Sequence, residues 1–191
     1  MNVIIAGATC SGKTTLAKEI EEIYPNVSIM PQDNYFKDLT DIPKYRGRYL
    51  MDSINAFEYR EYNQDSHLLL EAGRIDIPKY DVASNKRLTK DLLLLKKEIV
   101  VFEGLHTIKI LTDIPDALKI FLLVDLKECL RRRIARDSQK YGIKPDLIKE
   151  YFNECVIPMY QEYIEPQCKM ADIIITEGKE KKWILKKYIK N

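Results

Sequence analysis

The chain has 191 residues, of which 46% are hydrophobic and 31% are charged. This length and hydrophobic content suffice for one domain with a buried core, and they exclude a disordered chain. The charges nearly cancel to a formal net charge of +2. Composition therefore gives no reason to expect a nucleic-acid or membrane-surface partner.

Residues 1–7 are too short for a signal peptide and carry no basic region. No apolar run approaches the roughly 20 residues that a membrane span requires. The cysteines form no C-x-x-C pair, as is typical of reduced thiols in a cytoplasmic protein. They are Cys10, Cys129, Cys155 and Cys168. We therefore predict a cytoplasmic localisation.

Strand and helix patterns alternate along the chain. The apolar run 3–6, which ends at Gly7, predicts a strand buried on both faces, and residues 13–24 carry a helical stripe of apolar side chains. Further strands are predicted at 27–30, 99–102, 120–124 and 173–175. Further helices are predicted at 55–72, 126–137, 146–163 and 179–189. This order predicts a parallel sheet covered by helices on both sides, with ligands at the carboxyl ends of the strands.

A small insert interrupts this alternation. Residues 75–80 and 88–94 are apolar and flank the polar stretch 84–87, which predicts a β-ribbon over about 74–95. We expect the whole chain, 1–191, to form a single domain that includes this ribbon.

Residues 7–14 read Gly-Ala-Thr-Cys-Ser-Gly-Lys-Thr and match G-x-x-x-x-G-K-[ST] between a predicted strand and a predicted helix. The glycines allow a tight turn whose N–H groups wrap a phosphate, and the helix adds the positive end of its dipole. The Lys13 ammonium can reach the β- and γ-phosphates, and the Thr14 hydroxyl can bind Mg²⁺. The predicted nucleotide-binding residues are Gly7, Ala8, Thr9, Cys10, Ser11, Gly12, Lys13, Thr14 and Thr15.

This motif is common to kinases, GTPases, ATPase motors and non-hydrolysing nucleotide binders. A GTPase would need an Asn-Lys-x-Asp guanine reader, and the Asn-Lys at 85–86 lacks the aspartate. A kinase needs a carboxylate that accepts the proton of an acceptor hydroxyl. Asp33, just past the second predicted strand, is the candidate base, although a turn or cap aspartate has the same spacing.

Two further positions extend the candidate site. Glu103 ends a buried strand, where a carboxylate can order Mg²⁺ or can simply face solvent. Arg133 and Arg136 lie three residues apart on one helical face, so they can clamp a transferring phosphoryl group or form part of a solvated basic surface.

Several short segments along the chain have sequences, an order and a spacing that are known together from other proteins. Besides residues 7–14, they are Gln-Asp-Asn-Tyr-Phe-Lys at 32–37, Met-Asp-Ser-Ile-Asn-Ala-Phe at 51–57, Ile-Pro-Lys-Tyr-Asp-Val at 77–82, Phe-Glu-Gly at 102–104, Arg-Arg-Ile-Ala-Arg-Asp at 132–137, Ile-Glu-Pro at 164–166 and Ala-Asp-Ile-Ile-Ile at 171–175. Through them the chain resembles the uridine kinase and phosphoribulokinase group of P-loop kinases from residue 3 to about 175.

The resemblance implies a three-layer α/β/α P-loop fold with a helical lid over about 126–145. It also implies ATP and Mg²⁺ as cofactors and 5′-phosphorylation of uridine or cytidine. Within it, Asp33 is the catalytic base, Asp52 binds ribose hydroxyls, Tyr80 lines the nucleoside pocket and Glu103 assists the metal. Arg133 and Arg136 belong to the lid, and a homo-oligomer is implied. From the residues alone, Asp52 is equally well a helix cap and Tyr80 a packing residue.

The chain departs from the uridine kinase pattern at the acceptor side. Asn85 occupies the position of a base-reading histidine, and Phe36 replaces a tyrosine while keeping a ring for stacking. His106, in a Glu-Gly-Leu-His string, reads as a packed and hydrogen-bonded residue in preference to a ligand contact. Another riboside, as in nicotinamide riboside kinases, or a phosphoribulokinase-like acceptor is therefore the alternative. A non-catalytic nucleotide-binding protein is the third possibility.

Overall fold

The computed structural model describes residues 1–177 and 187–189. In chain order the strands are β1 Asn2–Gly7, β2 Val27–Pro31, β3 Lys44–Tyr45, β4 Arg48–Tyr49, β5 Arg74–Ile77, β6 Tyr80–Asp81, β7 Lys86–Arg87, β8 Leu92–Leu95, β9 Ile99–Gly104, β10 Ala117–Leu123 and β11 Ile173–Thr176. The α-helices are α1 Lys13–Ile23, α2 Tyr59–Ala72, α3 Thr107–Ile110, α4 Leu126–Tyr141, α5 Pro145–Tyr151 and α6 Ile157–Met159.

Five strands form a parallel sheet in the order β11-β10-β1-β9-β2. In the register of this sheet, Glu103 of β9 lies opposite Ile5 of β1 and opposite Pro31 of β2. The carboxyl ends of these three strands therefore meet at one edge, and the phosphate loop, Asp33 and Glu103 all lie at that edge or directly after it.

Alternate residues of β1 face two different hydrophobic layers, as the pleat of a strand requires. Val3 and Ile5 belong to a buried cluster with Leu16 and Ile20 of α1. Ile4 belongs to a second cluster on the other face, which includes side chains of α2, α3 and α4. The predicted parallel sheet with helices on both sides is thereby confirmed.

The predicted helix at 55–72 begins later than expected. Residues Ile54–Ala56 form a 3₁₀ turn, and α2 starts only at Tyr59. Between them Phe57 is extended, because it forms an isolated antiparallel bridge with Phe36. Tertiary pairing at this point overrides the helical spacing of the apolar residues.

The predicted ribbon is present as two short antiparallel pieces. β5 pairs with β8, and β6 pairs with β7. Pro78 lies between β5 and β6, and a proline has no N–H to donate to a strand ladder. A further hairpin, β3–β4, was not predicted. Its turn at Arg46 and Gly47 has positive φ values of 49° and 78°.

The predicted helix at 146–163 is helical but irregular. Between α5 and the 3₁₀ turn Glu165–Met170, two π-helical turns, Phe152–Val156 and Tyr160–Ile164, flank α6. Pro158 lies in α6, between these turns, and cannot donate the usual helical hydrogen bond. The predicted helix at 126–137 extends to Tyr141, where Gly142 ends it with φ 68°.

The predicted closing helix at 179–189 lies mostly outside the described residues. Among the described helices, none combines the length and the apolar character needed to cross a membrane.

Candidate active site

The loop from Gly7 to Gly12 has a backbone that only glycine permits at its ends. Gly7 has φ 153°, and a Cβ there would lie 2.7 Å from the Leu122 carbonyl oxygen and 2.9 Å from Oγ of Ser11. Gly12 has φ 100° and directly precedes α1. These conformations turn the chain sharply between β1 and α1, as a phosphate-binding loop requires.

Polar groups inside this loop have few protein partners. The Lys13 ammonium is buried and donates a hydrogen bond of 2.8 Å to the Ala8 carbonyl oxygen. Oγ of Ser11 is buried and, among the described residues, has no hydrogen-bond partner. The N-terminus of α1 has no side-chain cap. An anion bound here would satisfy donors that are otherwise costly to bury.

Thr14 and Glu103 come together at the carboxyl edge of the sheet. Oγ1 of Thr14 donates a hydrogen bond of 3.0 Å to Oε1 of Glu103. Burial raises the pKa of the Glu103 carboxyl and the Asp33 charge adds to this, while Lys13 and the Thr14 hydrogen bond act in the opposite direction. Hydroxyl and carboxylate oxygens are ligands that Mg²⁺ accepts.

Asp33 follows β2 in the 3₁₀ turn Gln32–Tyr35. Its side chain reaches solvent, although nearby protein atoms displace much of the bulk water around it. This displacement of bulk water raises the pKa of Asp33, with a further increase from Asp52, whereas Lys13 and Arg136 act to lower it. Asp33 is thus electrostatically coupled to the phosphate loop, to Asp52 and to α4.

Asp52 and Arg133 form a charged pair within the candidate site. Their closest charged atoms, Oδ1 of Asp52 and Nη1 of Arg133, are 3.7 Å apart, and both side chains are largely buried. Neither Oδ2 of Asp52 nor Nη1 of Arg133 has a hydrogen-bond partner within the part of the chain that the structure describes. The Arg133 guanidinium lies 5.2 Å from the centre of the Tyr151 ring. Burial acts to lower the pKa of Arg133, but Asp52 and the other groups around it together outweigh burial, so that the pKa is raised.

Arg136 differs from Arg133 in its surroundings. Its side chain is half exposed, and its Nε donates a hydrogen bond of 2.7 Å to Oδ1 of Asp137. Asp137 also accepts from Nε of Arg133 at 3.3 Å. One buried carboxylate therefore orients both arginines on the same side of α4.

The predicted acceptor side is built from aromatic rings. Phe36 packs on Phe57 with 4.1 Å between ring centroids and on Tyr80 with 5.2 Å. The Tyr80 hydroxyl is buried without a hydrogen-bond partner in residues 1–177 and 187–189. Asn85 lies in the β6–β7 turn with φ 53°, and its carbonyl oxygen accepts from the Leu39 N–H at 3.2 Å.

The structure decides two local questions that the residues left open. Asp52 is not a helix cap, because the neighbouring Ser53 side chain accepts from the Asn55 N–H at the following 3₁₀ turn. His106 is fully buried and hydrogen-bonded, as predicted. Sequence reasoning missed Gln32, whose buried Oε1 accepts from the His106 N–H at 2.9 Å. Only its position next to Asp33 could have pointed to it.

A model of the phosphoribulokinase/uridine kinase family matches residues 3–183 of this chain. The chain belongs to this family. A uridine kinase from Halobacterium salinarum is 33% identical over 178 residues, covering 91% of this chain and 79% of that protein. A uridine kinase from Lactobacillus helveticus is 32% identical over 182 residues, covering 92% and 86%.

Solved structures share the fold of this chain. YFH7 from Saccharomyces cerevisiae has a TM-score of 0.72 at 14% identity and covers 93% of each chain. A structure described as a possible uridine kinase from Bacillus stearothermophilus has a TM-score of 0.65 at 16% identity, covering 92% of this chain and 88% of that chain. The predicted three-layer α/β/α P-loop fold and the predicted family are confirmed. This member of the phosphoribulokinase/uridine kinase family is an ATP-dependent kinase.

Proposed function

We propose that this kinase transfers the γ-phosphoryl group of ATP to the 5′-hydroxyl of a nucleoside, with uridine and cytidine as its substrates. The observation that carries the proposal is the common sheet edge at which the phosphate loop, Asp33 and Glu103 lie, with Asp33 near enough to Lys13 and Asp52 for their charges to act on it. It unites a phosphate cradle, a candidate base and a candidate ribose-binding carboxylate. The naming of relatives at 30–33% identity as uridine kinases supports the choice of acceptor.

In this proposal Asp33 is the general base. Its carboxylate accepts the proton of the acceptor hydroxyl while that oxygen bonds to the γ-phosphorus and the bond to the β-phosphate oxygen breaks, leaving ADP. A raised pKa suits this role, because a base whose pKa is closer to the working pH accepts a proton more readily. Lys13 then leaves the Ala8 carbonyl and, with Arg133 and Arg136, stabilises charge on the phosphoryl oxygens.

The acceptor would lie between Asp52 and the aromatic cluster. Oδ2 of Asp52, which has no hydrogen-bond partner among the described residues, can accept from ribose hydroxyls, and Nη1 of Arg133, ion-paired with Oδ1 at 3.7 Å, still has hydrogen bonds to donate. Phe36 and Tyr80 offer ring faces to a base, and the Tyr80 hydroxyl has an open hydrogen bond. Asn85 lies close by in the ribbon as a donor and acceptor for the base edge.

Thr14 and Glu103 fit Mg²⁺ as the bound metal of this site. Within residues 1–177 and 187–189, no group of three or more His, Cys, Asp or Glu side chains could hold a metal ion. A hydroxyl and one carboxylate match the sparse protein ligation of a Mg²⁺ ion that nucleotide phosphates and water also bind. When bound, this ion supplies charge neutralisation for the β- and γ-phosphates.

A different riboside is the second candidate, and Asn85 favours it. The residue is held in a turn with positive φ, where asparagine is tolerated for backbone reasons alone. A pyrimidine-reading role is therefore not needed to explain its presence. In both versions we propose one domain over 1–191, with a ribbon at about 74–95 and a lid at about 126–145. Cytoplasmic localisation and a homo-oligomer stay predictions.

An acceptor panel tests the proposal. Wild-type protein with Mg²⁺ and ATP is given uridine, cytidine, other ribosides, ribulose 5-phosphate or pantothenate, and ADP release is followed together with the mass of the product. We expect a uridine or cytidine 5′-monophosphate. If uridine and cytidine were both inactive and another acceptor turned over, the second candidate, a different acceptor, would be selected. ATP binding without turnover on any acceptor would indicate a non-catalytic nucleotide-binding protein.

A further inference from the structure

His106 is a fully buried titratable residue that the proposed reaction does not use. Its ring packs edge-on against Phe57 and Tyr163, with centroid distances of 5.6 and 6.3 Å. Its Nδ1 is buried and has no hydrogen-bond partner in the described part of the chain. Buried polar groups are normally hydrogen-bonded, and the ring does make one such interaction.

That interaction is made by the other ring nitrogen. Nε2 of His106 lies 3.0 Å from the main-chain oxygen of Asp52, 54 positions away in the sequence. A carbonyl oxygen can only accept, so Nε2 carries the proton and donates it. Burial lowers the pKa of His106 to about 3, assisted by Lys109 and Lys13 and opposed by the bond to Asp52. The ring is therefore neutral at physiological pH.

The main chain of His106 is anchored on its other side. The His106 N–H donates to Oε1 of Gln32, the residue before Asp33. Gln32 can occupy this place only because residue 104 is glycine, since a Cβ there would collide with the Gln32 side chain. His106 thus connects the ends of β2 and β9 to the segment that carries Asp52.

We propose that His106 is a positioning residue for the acceptor. By holding the main chain of Asp52, its Nε2–H fixes the Asp52 carboxylate opposite Arg133. The inference rests on the proposed function, in which Asp52 binds the acceptor. It assigns His106 no contact with ATP or with the reacting atoms.

The test compares His106→Phe, which keeps a ring and removes the donor, with His106→Gln, which restores an N–H near the position of Nε2. His67→Phe is the matched control, because His67 lies on α2 and pairs with Asp113 at 3.1 Å. KM for uridine, or for the riboside that turns over in the panel, and KM for ATP are measured for each variant. Melting temperature is measured alongside.

For His106→Phe we expect the acceptor KM to rise on the order of 10-fold and the ATP KM to stay within about twofold. His106→Gln should recover most of the loss, and His67→Phe should match wild type. An unchanged acceptor KM in His106→Phe, or equal rises of both KM values, would overturn the proposal. Asp52→Asn tests the underlying function separately, because an unchanged acceptor KM in that variant would remove Asp52 from the acceptor site.

Histidine NMR gives a second readout that does not depend on turnover or on the folding of the His106 variants. The chain has two histidines, so His67→Phe assigns the resonances. Two-bond ¹H–¹⁵N spectra of the ligand-free protein should show His106 as the Nε2–H tautomer, unchanged from pH 5.5 to 8. An Nδ1–H tautomer, or an imidazolium in this range, would contradict the proposed bond to Asp52.

Discussion

The hydroxyl of Thr14 donates a hydrogen bond of 3.0 Å to the buried carboxylate of Glu103. This bond joins the first turn of the helix after the phosphate loop to the end of the neighbouring strand. It brings two hard oxygen atoms to the edge of the sheet where the nucleotide phosphates would lie. A Mg²⁺ ion bound there would exchange this internal hydrogen bond for coordination.

Removal of the Glu103 charge should weaken the use of Mg²⁺. For Glu103→Gln we expect the Mg²⁺ concentration at half-maximal activity to rise by roughly 10- to 100-fold, as for other residues that support a metal. Activity against Mg²⁺ concentration at saturating ATP measures this shift. Glu98→Gln, an exposed carboxylate just before the same strand, serves as the control. An unchanged Mg²⁺ dependence of Glu103→Gln would exclude Glu103 from the metal site.

The same substitution should stabilise the ligand-free protein at neutral pH. Because the pKa of Glu103 is raised in the folded state, the folded protein binds this proton more tightly than the unfolded chain does. The ionised Glu103 carboxylate therefore lowers the stability of the folded protein at pH values above the unfolded pKa of about 4.3. This loss of stability grows as pH rises through the pKa that Glu103 has in the folded protein.

Thermal unfolding without Mg²⁺ or nucleotide checks this sign. At pH 7.5 we expect Glu103→Gln to melt roughly 2–4 °C higher than wild type, the effect of about 1 kcal/mol in a chain of this size. The difference should shrink toward pH 4. A wild-type protein that is the more stable of the two at pH 7.5 would contradict the account.

A buried network should hold the segment of the candidate base against the ribbon. The hydroxyl of Tyr35 donates to Oδ2 of Asp65 at 2.8 Å, and Lys90, which follows β7, lies 2.6 Å from the same oxygen. Tyr35→Phe leaves this buried carboxylate with one partner fewer. We expect the free energy of unfolding in urea to fall by about 1–3 kcal/mol. Tyr45→Phe removes a hydroxyl from an exposed tyrosine and should change it by less than about 0.5 kcal/mol. Equal effects of the two variants would show that the Asp65 contact does not stabilise the fold.

The phosphate loop and the sheet could be predicted from local features of the sequence. The loop 7–14 could be predicted because its glycines, lysine and threonine act within eight consecutive residues between a strand and a helix. The convergence of Asp33 and Glu103 also followed from local patterns, since parallel strands end at a common edge. Their roles in the reaction stay predictions.

Contacts that depend on the path of irregular segments could not be predicted. The extended conformation of Phe57 exists because Phe36 pairs with it, and the spacing of apolar residues gives no sign of this bridge. The bond from His106 to Asp52 depends equally on how the chain before α2 crosses the sheet edge. From the sequence, His106 could be interpreted as a packed and hydrogen-bonded residue, but its hydrogen-bond partner could not be identified.

The rate of transfer should fall in acid because of Asp33. Its pKa is raised above the ordinary aspartate value, mainly by the displacement of bulk water, and a general base acts only when it is unprotonated. The turnover of wild-type protein at saturating substrates should therefore decline as pH drops through a pKa above about 3.9. If the turnover declined only with a pKa at or below that value, the result would argue against Asp33 as the base.

Replacement of Asp33 tests the central claim most directly. Each variant, Asp33→Asn or the exposed control Asp76→Asn, is mixed in molar excess over γ-labelled ATP in the presence of Mg²⁺ and the acceptor. Phosphoryl transfer is then followed in a single turnover. We expect Asp33→Asn to bind ATP within about threefold of wild type and to transfer the label roughly 10²- to 10⁴-fold more slowly, while Asp76→Asn matches wild type. Transfer by Asp33→Asn at the wild-type rate would contradict the account.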